Sequence, residues 1–347
     1  MYYALLGLFI YAFILLTITK KSKILSEILG IVILAYITFM IGLRNGVGID
    51  YFNYEQAFNI RYDAFSYEPI YSFLMYFIKT QFDKFHYLTF IIILISNSFI
   101  YLGLKKRNIE GKYLLLSLLI YSSNMALIFM NLMRQSVSVA IFFYASKFIE
   151  ERNFKKYLFY IVIGAGFHSS MLLLLPLYFL KSIMISKHKY LIMVIASYTF
   201  VYTKLAQAIL NFITYRVPMF SKYYNHSYIF NDNFNILSLG VILNVVFIFI
   251  LLNVVREEKN NFDVGYYLIG TSINILAISS FMFDRIGIYF FIFGISAIPK
   301  LIQSIERKEL RFMFFNLALL VALLFFVQSL FLNPQESMLE YRSIFSK

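Results

Sequence analysis

The chain has 347 residues, 61% of them apolar and only 14% charged, with a net charge of +13 and a mean hydropathy of +0.73. A soluble domain is about half apolar and about a quarter charged, so too few polar side chains are present here to cover a water-facing surface. The basic residues fall in short clusters between apolar runs instead of gathering on one face, which argues against a nucleic-acid partner.

Apolar runs of membrane-spanning length, about 20 residues each, are predicted at 2–19, 26–43, 86–104, 113–130, 132–149, 157–180, 190–210, 236–254, 264–282, 286–299 and 312–331. The expected fold is an all-α polytopic membrane bundle of about 10–12 crossings, forming a single domain over 1–347. No basic stretch precedes the first run, and Lys20, Lys21 and Lys23 follow it. That order predicts an outward N-terminus without a cleaved signal. The loops with Lys105, Lys106, Arg107 and Lys112, and with Lys147, Arg152, Lys155 and Lys156, are then cytoplasmic. The segment 44–85 falls outside. Within it, 68–82 is apolar but short, so it is expected to be re-entrant or interfacial.

The run 157–180 poses a choice. As one crossing, it would place nine later basic residues outside. As a broken pair of short helices returning to its own side, it keeps them inside, as the positive-inside rule demands. Gly164, Ala165 and Gly166, followed by polar His168, Ser169 and Ser170, mark where the break is predicted. On this reading 211–235 forms a second outer loop, and the tail after Leu332 lies on the same side. The 29 tyrosines, many near run ends, suit the interfacial belt.

Several polar residues could carry chemistry. Arg44-Asn45-Gly46-Val47-Gly48-Ile49-Asp50 opens the first outer segment. Two glycines beside a guanidinium can form an anion-binding turn, or the stretch is an ordinary polar loop with Arg44 snorkelling. Arg134, with Gln135 beside it and Ser138 one turn on, opens a helix at its N-terminal end. A cation there opposes the helix dipole and calls for a compensating anion, either a bound phosphate or a structural carboxylate. His168 falls roughly 17 Å along its helix from the cytoplasmic side. An imidazole at that depth can act as a base or as a donor to phosphate, or it is a packed polar residue. Arg216 with Tyr223 in the second outer loop, and Asp284-Arg285 at an expected turn between two runs, complete the set. Arg44, Arg134, Arg216 and Arg285 all map to the outer side. Guanidiniums, carboxylates and tyrosines about one cavity suit a diphosphate with sugars stacked on rings. The histidines are scattered and cysteine is absent, so neither a metal nor another cofactor is expected.

Arg44-x-x-x-Gly48-x-Asp50-x-x-x-Tyr54, then Glu68-Pro69-x-Tyr71, resembles the opening of the EpsG/Wzy-type polysaccharide polymerases. Asn131-x-x-Arg134-Gln135, then Gly166-Phe167-His168-x-Ser170, is similar to that family's central pattern, and Arg285 before Tyr289, Phe290 and Phe291 to its last element. The resemblance runs over about 30–295. It implies a glycosyltransferase of the bacterial inner membrane, its site facing the periplasm or outside, that joins undecaprenyl-diphosphate-linked repeat units into O-antigen, capsule or exopolysaccharide. Arg134, with Arg216 or Arg285, would hold the diphosphate, and His168 or Asp50 would be the base. Arg44, Tyr54, Glu68, Tyr71, Gln135 and Tyr223 would contact substrate. No metal is then needed, since arginines can neutralise the leaving group. The implied partners are the lipid-linked glycan as donor and acceptor, membrane lipids, and a chain-length regulator and flippase of the same pathway. An O-antigen ligase would share donor and arginines but would want a larger outer domain. A flippase would want related halves, and none is apparent in the sequence.

Overall fold

The structure, a computed structural model, describes residues 22–60, 67–180, 185–216, 238–255, 262–331 and 341–345. The predicted run 2–19, most of the loop 211–235 and Tyr223 lie outside them. The described residues form helices joined by short turns, plus one isolated antiparallel bridge between Arg44 and Ser343. Among the described residues, three helices are long and apolar enough to cross a bilayer, Lys23–Gly42, Phe85–Lys106 and Lys308–Val327. Two bent pairs pass the same test. The chain is a polytopic helical membrane protein.

By packing, it divides into two compact units, Met1–Lys181 with Phe312–Lys347, and Ser182–Arg311. The first contains α1 (Lys23–Gly42), α2 (Tyr51–Ile60), α3 (Pro69–Gln81), α4 (Phe85–Lys106), α5 (Lys112–Ile120), a π-helical turn (Tyr121–Met125), α6 (Ala126–Asn131), α7 (Met133–Ala145), α8 (Lys147–Glu150), α9 (Phe154–Ala165) and a 3₁₀ helix (Ser169–Phe179). Its centre is α4, which packs against α1 on one side and α7 on the other. Lipid offers helices no hydrophobic drive to associate, so small and polar side chains hold them together. Asn97 on α4 donates to Thr38 of α1 (2.8 Å) and accepts from the Tyr121 hydroxyl (2.6 Å), while Ser96 meets Ser136 of α7 (3.1 Å). Gly42 lets α1 lie directly against the backbone of Phe90 on α4.

One end of this unit carries the basic clusters, partly neutralised by Lys105–Glu27, Lys106–Glu151 and Lys147–Glu150 pairs. From that end α9 runs inward for 12 residues, and the chain then turns back. The Phe154 ring lies 4.9 Å from Tyr178, the Tyr157 hydroxyl donates to the Leu174 carbonyl at 2.6 Å, and Gly164 leaves room for Met171. The expected broken pair is therefore a re-entrant hairpin with its tip at Gly166–His168. The short segment expected over 68–82 is α3, a 13-residue helix joined to α4 by a turn in which Asp83 adopts φ +50°.

The second unit holds α10 (Lys187–Tyr202), α11 (Leu205–Arg216), α12 (Leu239–Val254), α13 (Phe262–Ala277), α14 (Phe281–Phe291) and α15 (Gly294–Ser304). α13 is central and touches α10, α12, α14 and α15. α16 (Lys308–Phe331) joins the first unit from Phe312 on. Two expectations need correction here. The run 190–210 is not one straight helix, because α10 and α11 meet at 76° where Lys204 takes a left-handed φ of +58°. The turn expected at Asp284-Arg285 falls earlier, at 278–280. Ser280 caps α14 by accepting from the Met282 N–H, which leaves Asp284 and Arg285 inside the helix.

Candidate active site

The first unit gathers its polar groups where three helices begin. α3 starts at Pro69, which has no N–H to satisfy, and the next two N–H groups, of Ile70 and Tyr71, both donate to the Gly166 carbonyl at the hairpin tip (2.9 and 3.1 Å). Ser72 closes the first turn on the Glu68 carbonyl. With its own helix so capped, the Glu68 side chain is released to work elsewhere. The residue before a proline is held extended, and Glu68 sits at φ −61°, ψ 147°. A Cβ on Gly166 would lie 2.5 Å from Ile70, so only glycine permits this seat.

The Glu68 carboxylate is the hub. Its Oε2 accepts from Arg134 Nη1 at 2.5 Å. Its Oε1 meets His168 Nδ1 at 3.1 Å, accepts from the Ser169 N–H at 3.1 Å and lies 3.3 Å from the Ser169 hydroxyl. Glu68 thereby caps the 3₁₀ helix opened by Ser169, and it meets the cation at the start of α7. A lone carboxylate so little exposed would be costly; the cation and the hydrogen bonds offset that cost. Arg134 is held further by Tyr54, to whose hydroxyl oxygen it donates, and by Tyr67, whose ring centroid lies 4.5 Å from the guanidinium carbon. Tyr71 stands at 5.9 Å and braces Tyr67 edge-to-face. Arg134 Nε is buried and has no hydrogen-bond partner among the described residues. Both Arg134 and His168 keep about a quarter of their side-chain surface exposed, at 24% and 25%, so the cluster is open to a ligand.

Arg134 lies eleven residues before the end of α7, roughly 17 Å along the helix at 1.5 Å per residue. The Ser138 hydroxyl, one turn along α7, donates to the Gly164 carbonyl at 2.7 Å and fixes the hairpin against the helix.

Of the residues singled out from sequence, Arg134, His168, Glu68, Tyr54 and Tyr71 come together, and Gln135 is buried beside them on α7. Asp50 lies in the turn opening α2, where its carbonyl accepts from the Tyr54 N–H; the carboxylate that meets His168 is that of Glu68. Arg44 is 1% exposed and spends its guanidinium on the carbonyls of Ile41, Val47 and Met130, at 2.6 to 2.9 Å. Arg216 ends α11, against Phe212 and Tyr215, and Arg285 is in α14; both belong to the second unit. Tyr67 was missed by sequence reasoning, although its spacing of four from Tyr71, beside Glu68, was a usable signal.

Guanidinium, imidazole and carboxylate thus meet in one cluster ringed by tyrosines, within a polytopic helical membrane protein. The model of the EpsG family matches residues 27–343, and the chain belongs to that family, a polysaccharide-polymerase type of membrane protein. No curated protein and no solved structure matches the chain.

Proposed function

We propose that this protein polymerises oligosaccharide repeat units linked to undecaprenyl diphosphate, working at the outer face of the bacterial inner membrane. The observation that carries the reading is the unpartnered Nε of Arg134 beside His168, both tied to one carboxylate. A departing diphosphate needs positive charge and donors, which Arg134 and the N-terminal ends of α7 and the 3₁₀ helix supply. The acceptor hydroxyl needs a base. His168 Nε2 takes its proton as the oxygen bonds to the anomeric carbon of the donor sugar, and the bond from that carbon to the phosphate oxygen breaks. Tyr54, Tyr67 and Tyr71 give sugars faces to stack on. The diphosphate is already a good leaving group, so this scheme invokes no metal.

The test is made in cells by deleting the gene, complementing with variants and displaying the surface glycan on a gel. Loss of the ladder down to single repeat units, restored by wild type but not by Arg134→Ala or His168→Ala, supports polymerisation. Lipid-linked polymer accumulating outside would make the protein a ligase, and single units trapped in the inner leaflet would make it a flippase.

A further inference from the structure

Glu68 is the only described residue bonded to both Arg134 and His168, and its two oxygens divide the work. Oε2 takes Arg134, and Oε1 takes His168 with Ser169. We propose that Glu68 is the positioning residue of the site: it fixes the His168 proton on Nδ1, presenting Nε2 as the base, and it pins Arg134 through Nη1 so that Nε stays unspent. The inference rests on the polymerase reading for its meaning, but not for its geometry.

The argument is one of donors and acceptors. An ionised carboxylate can only accept. Arg134 at 2.5 Å and the Ser169 N–H hold Glu68 in that form, and Ser169 Oγ adds a further donor. His168 Nδ1 must therefore carry a hydrogen, and the neutral ring has its lone pair on Nε2. The placement is rigid because Pro69 restricts the Glu68 backbone and Gly166 latches the first turn of α3. The carboxylate comes from one element, the base from a second and the cation from a third. One side chain sets the geometry of all three.

Glu68→Gln tests this sharply. The Arg134 cation would take the variant's amide oxygen, leaving the amide NH₂ toward His168 and depriving the Ser169 N–H of its acceptor. Nδ1 would then have to accept, and the proton would move to Nε2, abolishing the base. Nitrogen-15 histidine spectra of the purified full chain in lipid nanodiscs read the tautomer directly, with His168→Gln separating the signal from His86, His188 and His226. The expected results are Nδ1–H in wild type, Nε2–H in Glu68→Gln, and Nδ1–H again in Glu68→Asp. With lipid-diphosphate-linked repeat units as substrate, kcat of Glu68→Gln should fall about 10⁴-fold, as for a base held in the wrong tautomer. KM should stay within about threefold, and Glu68→Asp should recover part of the loss. An unchanged tautomer in Glu68→Gln overturns the proposal, as does a raised KM with kcat intact, which would make Glu68 a substrate contact. If Glu68→Gln does not fold, Glu68→Asp decides: Nδ1–H with reduced kcat supports the assignment, and Nε2–H overturns it. The tautomer is read without substrate. Wild-type polymer from Arg134→Ala and His168→Ala would therefore sink the polymerase mechanism while leaving this arrangement standing.

Discussion

Each unit buries a carboxylate beside a cation, and the two pairs are built differently. In the second unit Asp263 of α13 is 1% exposed and meets Lys300 of α15 at 2.5 Å. There a flexible ammonium meets a carboxylate between two packed helices. In the first unit Glu68, at 13% exposure, is shared by a guanidinium, an imidazole and a helix N-terminus, and Arg134 retains a buried donor with no partner. A closed pair stabilises a helix contact, whereas a shared carboxylate with a donor to spare is arranged for a ligand. Burial of charge alone does not separate the two, and the leftover donor does.

That contrast can be broken by mutation. The largest effect expected is from Arg134→Ala, which should abolish polymer while the protein still inserts and purifies; a normal ladder would remove the distinction between the pairs. Asp263→Ala should act in the opposite way. By leaving the Lys300 ammonium without its partner, it should cost about 3–5 kcal/mol of stability, read as a large fall in thermal midpoint in detergent. The molecules that remain folded should show wild-type turnover. The double variant Asp263→Leu with Lys300→Met should recover most of that stability, since a buried ion pair can be replaced by apolar packing.

Gly166→Ala comes next, where the added methyl meets Ile70. Overpacking of this kind costs about 1–3 kcal/mol, and here it should also lower turnover by moving Glu68. The pairing Gly166→Ala with Ile70→Ala should restore part of both. Ser138→Ala removes a single bond to the hairpin. Its expected cost, about 0.6 kcal/mol for an interhelical hydrogen bond in a membrane, is the smallest, with little change in polymer length.

How much of this was legible in the sequence follows from the range of each signal. The apolar runs of α1, α4 and α16 are local, and periodicity with length suffices to find them. The hairpin tip was readable too, because Gly164, Gly166 and His168 interrupt an apolar run where no straight helix would place them, and the basic clusters dictate which side the chain returns to. The bend at Lys204 was not, since a single lysine between apolar runs gives no hint of a left-handed residue. Ser279-Ser280 did carry a capping signal, but the charged pair at Asp284-Arg285 drew the expected turn past it. The hub was the least legible element. Glu68 and His168 are 100 residues apart, and no pattern in a window reveals which carboxylate an imidazole will meet. The sequence offered Asp50 as an alternative base and Glu68 as a substrate contact, and the pairing of Glu68 with His168 shows only in the fold.

The bridge between Arg44 and Ser343 has a consequence for biosynthesis. The Asn45 N–H donates to the Arg342 carbonyl, and the Ile344 N–H to that of Leu43. Arg44, between these bonds, reaches the Met130 carbonyl four residues before Arg134. A chain inserted into the membrane from its N-terminus makes Arg44 well before Arg342 to Ile344, so the brace behind Arg134 is completed only after the helices between them are made. A half-made chain would hold its helices in the bilayer without that support. Forms cut before Arg342 would keep those helices without the brace.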